Sequence, residues 1–315
     1  MQQIRVLDEA VCARLLAGPA LLERLAEGFV ALSAGEVVAP TRSEVAVEGG
    51  YSLAMAAHRA GGHIVVKIVN VFEGNLERGM PSHQAVICVF DAGTGSCVAF
   101  LDGTAITARR TAGAAALSAR ILAREDARVL TIVGAGVQGR AHLELMPLVR
   151  DLDEIRIVSL HREDAERLAA LDERATAAES LAEAVASSDI VSLCTASGQP
   201  VIEAAWIRPG THVTSVGYCE PLGELPRSLL ERTALFVETR LAFEATPVGC
   251  FELQGIDPAI GTELGEVLAG LKPGRRDDEQ TTVYKAMGHA VEDHVAAELV
   301  LEEAQRLGAS PTIRL

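Results

Sequence analysis

One short run limits what this chain can fold into more than any other. It reads Leu130-Thr-Ile-Val-Gly134-Ala-Gly136-Val137-Gln138-Gly139-Arg-Ala-His-Leu143, a GxGxxG pattern between an apolar stretch and an amphipathic one. Glycines in this spacing are common by chance, but a strand on one side and a helix on the other give each one a task. Gly134 allows the tight turn, Gly136 lets the backbone approach a pyrophosphate, and Gly139 lets helix and strand pack closely. The free N–H groups at the start of the helix then face the phosphate charge, with Val137 and Gln138 beside it. The run predicts a dinucleotide-binding βαβ unit.

The surrounding pattern agrees. Strands are expected at Arg128–Val133, Ile155–Leu160, Asp189–Thr195, His212–Val216 and Leu235–Glu238, and helices at Val137–Val149, Glu163–Ala170 and Ser180–Ser187. Near-continuous apolar strands alternating with helices imply a parallel sheet covered on both faces. Outside this region the pattern changes. Residues 8–34 read as a helix pair around Gly18-Pro19, and 41–101 as short β-rich runs split by glycine turns. Thr107–Ala123 reads as an Ala-rich helix, and Val283–Leu307 as a helical tail closed by Gly308. The expected fold is α/β: a Rossmann-type doubly wound parallel sheet plus a second, α+β domain.

Charge narrows the partners. The 315 residues carry 28 Lys and Arg against 43 Asp and Glu, a net charge of −15. Such a surface repels nucleic-acid phosphates and anionic lipid, so neither nucleic acid nor membrane is expected as a partner. No stretch of about 18 apolar residues is free of charge. The first residues, with Asp8 and Glu9 early, do not read as a signal peptide. Six cysteines without a CxxC pair suggest reduced thiols in the cytoplasm and no metal site.

The kind of dinucleotide is read from the end of the second strand. An acidic residue there binds a ribose 2′-hydroxyl. Here the strand ends Ser159-Leu160-His161-Arg162, with no carboxylate before Glu163. A basic, hydroxyl-bearing end favours NADP(H), with NAD(H) the alternative. Thr195, at the end of the strand Asp189–Thr195, and Met287 are further cofactor-side candidates; packing explains Met287 as well.

Three cations stand where their neighbours do not explain them. Arg42 follows Ala-Pro-Thr, Lys67 interrupts the apolar run Ile64-Val-Val-Lys67-Ile-Val, and Arg110 lies near the start of the Ala-rich helix. An unpaired ammonium in such a run costs several kcal/mol, and converging cations hold a substrate carboxylate well.

At these residues the chain resembles the ornithine cyclodeaminase/mu-crystallin family. The resemblance rests on Asp102-Gly-Thr-Ala-Ile-Thr107-Ala-Arg-Arg110-Thr111-Ala and the glycine run that follows it. Val66-Lys67-Ile68-Val69 with Gly74-Asn75, and Thr282-Val-Tyr-Lys-Ala-Met-Gly288-His-Ala-Val-Glu-Asp293, complete it. It implies residues 1–112 with 288–315 as a substrate-binding and dimerisation domain, 113–287 as the dinucleotide domain, and a homodimer. It also implies Arg42, Lys67 and Arg110 on the substrate carboxylate and Thr111 by the cofactor.

The resemblance has a gap. The family's cyclodeaminases and related alanine dehydrogenases carry an acid–base aspartate in a segment that here reads Gly217-Tyr-Cys219-Glu220-Pro221. Cys219 stands at its place with Glu220 beside it, which weakens cyclodeamination as the reaction. The ketimine-reducing branch shares that lack. His83, in Ser-His83-Gln, resembles a family position near the pocket and has two readings of equal weight, a proton relay or a structural histidine. The expectation is an NAD(P)(H)-dependent oxidoreductase acting on the C–N bond of a small imino or amino acid, as a ketimine reductase or amino-acid dehydrogenase. Lys67, Arg110 and Glu220 are its candidate catalytic residues. A redox-neutral cyclodeaminase and a non-catalytic binding protein are the alternatives.

Overall fold

The computed structural model describes residues 3–308 and 311–314. The chain forms two compact units, Met1–Arg110 with His289–Leu315, and Thr111–Gly288.

The first unit is built on a mostly antiparallel sheet. In spatial order its strands are Thr312–Arg314, Gln3–Leu7, Cys97–Asp102, His83–Phe90, Ile64–Val71, Gly50–Arg59 and Val37–Val38, with Ser43–Val47 also paired to Gly50–Arg59. Ile64–Val71 alternates strictly: Val65, Lys67, Val69 and Val71 are buried, while Ile64, Val66, Ile68 and Asn70 keep partial exposure. The period of two puts the first set on one face. That face lies under the helix Ala290–Leu307, which also packs on the helix Gly18–Ser33. Lys67 therefore points into a core of Leu53, Met55, Val69, Val71 and Ala290.

The second unit is an eight-stranded sheet, parallel throughout. The order is Ala175–Ala177, Glu154–Val158, Val129–Val133, Ile190–Leu193, His212–Ser215, Thr282–Lys285, Ala234–Val237 and Gly261–Glu263. The chain builds outwards from Val129–Val133 in one direction, then returns to its other side with Ile190–Leu193. Strand order thus reverses between these two, and the crevice at their carboxyl ends is where open α/β sheets bind ligands. Ile190–Leu193, His212–Ser215 and Thr282–Lys285 are buried at every position, as strands covered on both faces must be.

Some local expectations need correction. Val283–Leu307 is not one helix. Thr282–Lys285 is a strand between His212–Ser215 and Ala234–Val237, Gly288 turns the chain at φ 74°, and the helix starts at Ala290. Val283 and Tyr284 suit a strand, and the vacant place in the sheet decides between the two periods. The Ala-rich helix begins at Gly103, because the Asp102 carboxylate accepts the Ala105 N–H at 2.7 Å and opens it a turn early. The helix from Val137 ends at Leu145 and tightens into a 3₁₀ turn at Met146–Leu148, where Pro147 offers no N–H. The strand Gln3–Leu7 was not anticipated; it is recruited by pairing with Cys97–Asp102. Among the described residues no helix is long and apolar enough to cross a membrane, and no cluster of His, Cys, Asp and Glu could hold a metal ion.

Candidate active site

In the first unit, the sheet and the start of the C-terminal helix bring Lys67 and Arg110 to one carboxylate. Lys67 Nζ lies 2.7 Å from Asp293 Oδ2 and Arg110 Nε 3.1 Å from Asp293 Oδ1. Arg110 Nη1 reaches Glu292 Oε2 at 3.0 Å. All four side chains are buried, none above 6% exposed. Glu292 also accepts the His289 N–H at 2.6 Å, while His289 Nδ1 accepts the Val291 N–H at 3.1 Å. This is a reciprocal cap that holds the two acids in the helix's first turn.

The cluster is electrically tight. Burial lowers the Lys67 pKa to about 8, and the Arg110 charge adds to the lowering against the pull of Asp293. Burial would raise Asp293, but Lys67 and Arg110 outweigh it and hold the carboxyl below its usual value. His289 is pushed to about 4 by burial, then by the charges of Arg42 and Arg110. It is neutral at physiological pH, with Nδ1 as acceptor. Arg42, half-buried just before Ser43–Val47, is thereby placed in the field of this cluster. His83, at the start of His83–Phe90, keeps an exposed surface, and its Nδ1 lies 3.1 Å from Ser82 Oγ. Protein packed round the ring lowers its pKa, opposed by Glu73 and reinforced by the Lys67 charge.

Glu292 and Asp293 lie outside the site residues expected from the sequence, where a bound substrate is the partner expected for Lys67. Two adjacent acids at the head of an otherwise Ala- and Val-rich helix were the available signal, since buried carboxylates need buried cations.

In the second unit the glycine run has the stereochemistry its spacing predicted. Gly134 sits at φ 111° at the end of Val129–Val133, and a Cβ there would lie 2.5 Å from the Cys194 carbonyl oxygen. A Cβ on Gly139 would lie 2.0 Å from the Gly134 oxygen. At Gly136 a Cβ would meet nothing within 4 Å, and this residue opens the helix Val137–Leu145 with no side-chain cap. An uncapped helix start facing open space beside a glycine turn fits a pyrophosphate. Gln138 Oε1, in the same turn, is buried without a hydrogen-bond partner.

The other candidates of this unit fall as follows. Ser159, Leu160 and His161 follow Glu154–Val158, with Leu160 94% exposed. Arg162 opens the next helix and pairs with Glu166 at 2.7 Å and Glu179 at 3.2 Å. Thr111 is buried. Thr195 bonds Glu224 through both its N–H and its hydroxyl, and the Met287 N–H donates to Glu238. Glu220 is exposed; the carboxylate that turns inward from its segment is Glu224, with no exposed surface.

A doubly wound parallel sheet with a glycine turn at its switch point, joined to a unit with buried paired cations, marks the nicotinamide-dependent oxidoreductases. The chain belongs to the ornithine cyclodeaminase/mu-crystallin family, whose model matches residues 3–307. It is similar to the ketimine reductase mu-crystallin of Mus musculus, 37% identical over 273 residues, covering 85% of this chain and 86% of that one. Among solved structures it is similar to the Δ1-pyrroline-2-carboxylate reductase of Thermococcus litoralis in complex with NADH and L-proline. The TM-score is 0.92 at 29% identity, over 98% of this chain and 100% of the other. An archaeal alanine dehydrogenase dimer with bound NAD gives 0.89 at 26% identity, over the whole of both chains.

Proposed function

We propose that this chain reduces the C=N bond of a small cyclic imino acid, a pyrroline or piperideine carboxylate, as an NAD(P)(H)-dependent oxidoreductase of C–N bonds. Oxidation of an open-chain amino acid is the nearest alternative within the same class. The observation that carries the reading is the buried set Lys67, Arg110 and Asp293, with Arg42 beside it. Lys67 and Arg110 converge on one carboxylate, and the Arg42 charge reaches the same cluster through His289. Asp293 fixes Lys67 and Arg110 in place before any substrate arrives, which lowers the cost of ordering them on binding.

Arg42, Lys67 and Arg110 hold the substrate carboxylate, so the adjacent C=N carbon has a fixed orientation. In this reading the Lys67 ammonium, with its pKa near 8, also protonates the substrate nitrogen, and His83 is its candidate relay. Gly134, Gly136, Val137, Gln138 and Gly139 hold the dinucleotide's phosphates, with Thr111, Thr195 and Met287 on the cofactor side. When bound, the nicotinamide supplies the hydride. Cys219 stands where the family's cyclodeaminases and related alanine dehydrogenases place their aspartate, with Glu220 beside it. The exposure of Glu220 speaks for the reductase over the ammonia-releasing lyase.

The proposal extends to NADP(H) over NAD(H). Ser159, His161 and Arg162 bring no carboxylate to the ribose. The pairs of Arg162 with Glu166 and Glu179 are exposed and therefore weak, so a 2′-phosphate can compete for the guanidinium. It extends also to a homodimer through the first unit's sheet. Val45 and Val47 are 64% and 52% exposed, and Ile64, Val66, Ile68 and Phe90 are only half-covered.

A panel of amino and imino acids with all four nicotinamide dinucleotides, followed at the reduced-nicotinamide absorbance band, tests the function. Oxidation of NAD(P)H on adding a cyclic imino acid is expected. Ammonia and a ring product from a diamino acid without net change in NADH would instead identify the lyase.

A further inference from the structure

Glu224 has no exposed surface and is not among the clamp or glycine-turn residues. Four donors converge on its two oxygens. Oε2 accepts the Thr195 N–H at 2.8 Å and the Thr195 hydroxyl at 2.7 Å. Oε1 accepts the Ser215 hydroxyl at 2.8 Å and the Gly217 N–H at 2.6 Å. A carboxylate satisfies four donors at once; an amide or a protonated acid would turn a hydrogen towards one of them. The same assembly holds Lys285, whose Nζ donates to the Gly217 carbonyl at 2.6 Å and to Ser215 Oγ at 3.1 Å, and pairs with Glu252 at 2.8 Å. Burial opposes the Lys285 charge, but Glu252 and its neighbours outweigh it and raise its pKa.

The place of this assembly in the fold gives it meaning. Thr195 follows Ile190–Leu193, Ser215 ends His212–Ser215, and Lys285 ends Thr282–Lys285. These are the carboxyl ends of three adjacent strands, all on the far side of the switch point from Glu154–Val158. A dinucleotide bound across a switch point lays one half over each side. The strand that reads the adenosine ribose lies on the Glu154–Val158 side, which leaves the redox-active half to the ends that Glu224 ties together.

We propose that Glu224 is a positioning residue for the nicotinamide half of the cofactor: through Thr195, Ser215 and Gly217, and backed by Lys285, it fixes the backbone against which that half is aligned for hydride transfer. The hydrogen bonds it accepts come from Thr195, Ser215 and Gly217, so it acts through them and not on the reacting atoms. Its contribution is placement, where an error of about 1 Å can cost on the order of 100-fold in rate.

The inference rests on the dinucleotide reading of this unit, and the test separates the two. Reduced dinucleotide is titrated by fluorescence into wild type, Glu224→Gln and Ser215→Ala. Turnover per titrated binding site is then measured with C4-protiated and C4-deuterated cofactor. Glu224→Gln is expected to lose about 100-fold in kcat per site, with hydride transfer more rate-limiting and the isotope effect larger. Its dissociation constant should rise less than about fivefold, because Gly134–Gly139 are untouched. Ser215→Ala, which removes one hydroxyl and buries no new polar group, should lose about tenfold. If Glu224→Gln does not fold, the loss in Ser215→Ala carries the test. Per-site kcat and isotope effect unchanged in the folded variants would overturn the proposal and leave Glu224 merely structural. Failure of wild type to bind any nicotinamide dinucleotide would instead overturn the dinucleotide reading itself.

Discussion

Lys67 shows how one residue can be decided by its strand. Its neighbours on the buried face, Val65 and Val69, are apolar, and the charge survives there because Asp293 lies 2.7 Å away. Lys67→Met and Arg110→Leu should each lower kcat/KM by roughly 30- to 1000-fold, the 2–4 kcal/mol order of a lost charged contact. Cofactor affinity should stay near wild type. Arg110→Leu also strips a buried cation from both Glu292 and Asp293, so a lowered melting temperature should accompany its kinetic loss, as expected for a broken buried pair. Neutralising Arg306, exposed and paired only with Glu303 on the described surface, should change neither property. Wild-type kcat/KM in both pocket variants would end the clamp reading.

The Lys67 pKa also sets a pH dependence. With a folded value of about 8 against an ordinary 10.5, the ammonium is present below pH 8 and lost above it. The free-enzyme profile of kcat/KM should fall by one decade per unit above about pH 8. In Lys67→Arg, which stays charged, that descending limb should vanish from whatever activity remains. The sign for stability is opposite. Between about pH 8 and 10.5 the unfolded chain binds more protons at this lysine than the folded one, so its contribution to folding improves as pH rises through that window. Comparing the melting temperatures of wild type and Lys67→Arg across the window isolates this contribution.

At the scale of elements, the glycine turn and the helix Val137–Leu145 form one stereochemical unit. Gly139→Ala would place a methyl 2.0 Å from the Gly134 carbonyl oxygen, which is backbone and cannot step aside cheaply. The expected result is a helix pushed off the sheet, with dinucleotide affinity reduced at least tenfold by titration and a clear fall in melting temperature. Gly136→Ala meets no protein atom within 4 Å. It should leave the melting temperature nearly unchanged and weaken only the dinucleotide. That contrast separates a packing glycine from a ligand-approach glycine, and equal effects on stability in both variants would remove the distinction.

For the molecule as a whole, the half-covered sheet face of the first unit is the surface proposed for association. Light scattering at micromolar concentration should give twice the 33.2 kDa chain mass, and a result at one chain's mass would end the homodimer proposal. The chain is an NAD(P)(H)-dependent oxidoreductase of imino or amino acids, and its preference among the dinucleotides is a separate matter. Tighter binding of NADPH than NADH is expected. Arg162→Ala should narrow the gap, and tighter NADH in wild type would reverse the preference while leaving the glycine turn's role intact.

The parts whose cause is local can be read from the chain alone. Glycines at 134, 136 and 139 between an apolar and an amphipathic run specify a turn that other residues would obstruct. The regular strand–helix alternation after Arg128 leaves a parallel sheet as the way to bury both faces of each strand. The cation at 67, in an apolar run, requires a negative partner without showing which. That partner is set by the fold, because Asp293 lies more than 180 residues from Arg110 and meets it through the docking of the C-terminal helix on the sheet. The fold decided as well that Val283 and Tyr284 form a strand, since an apolar run that short suits either period until a sheet offers it a place. And it turned Glu224 inward and Glu220 outward, a choice set by the four donors waiting at the strand ends rather than by anything in the residues between them.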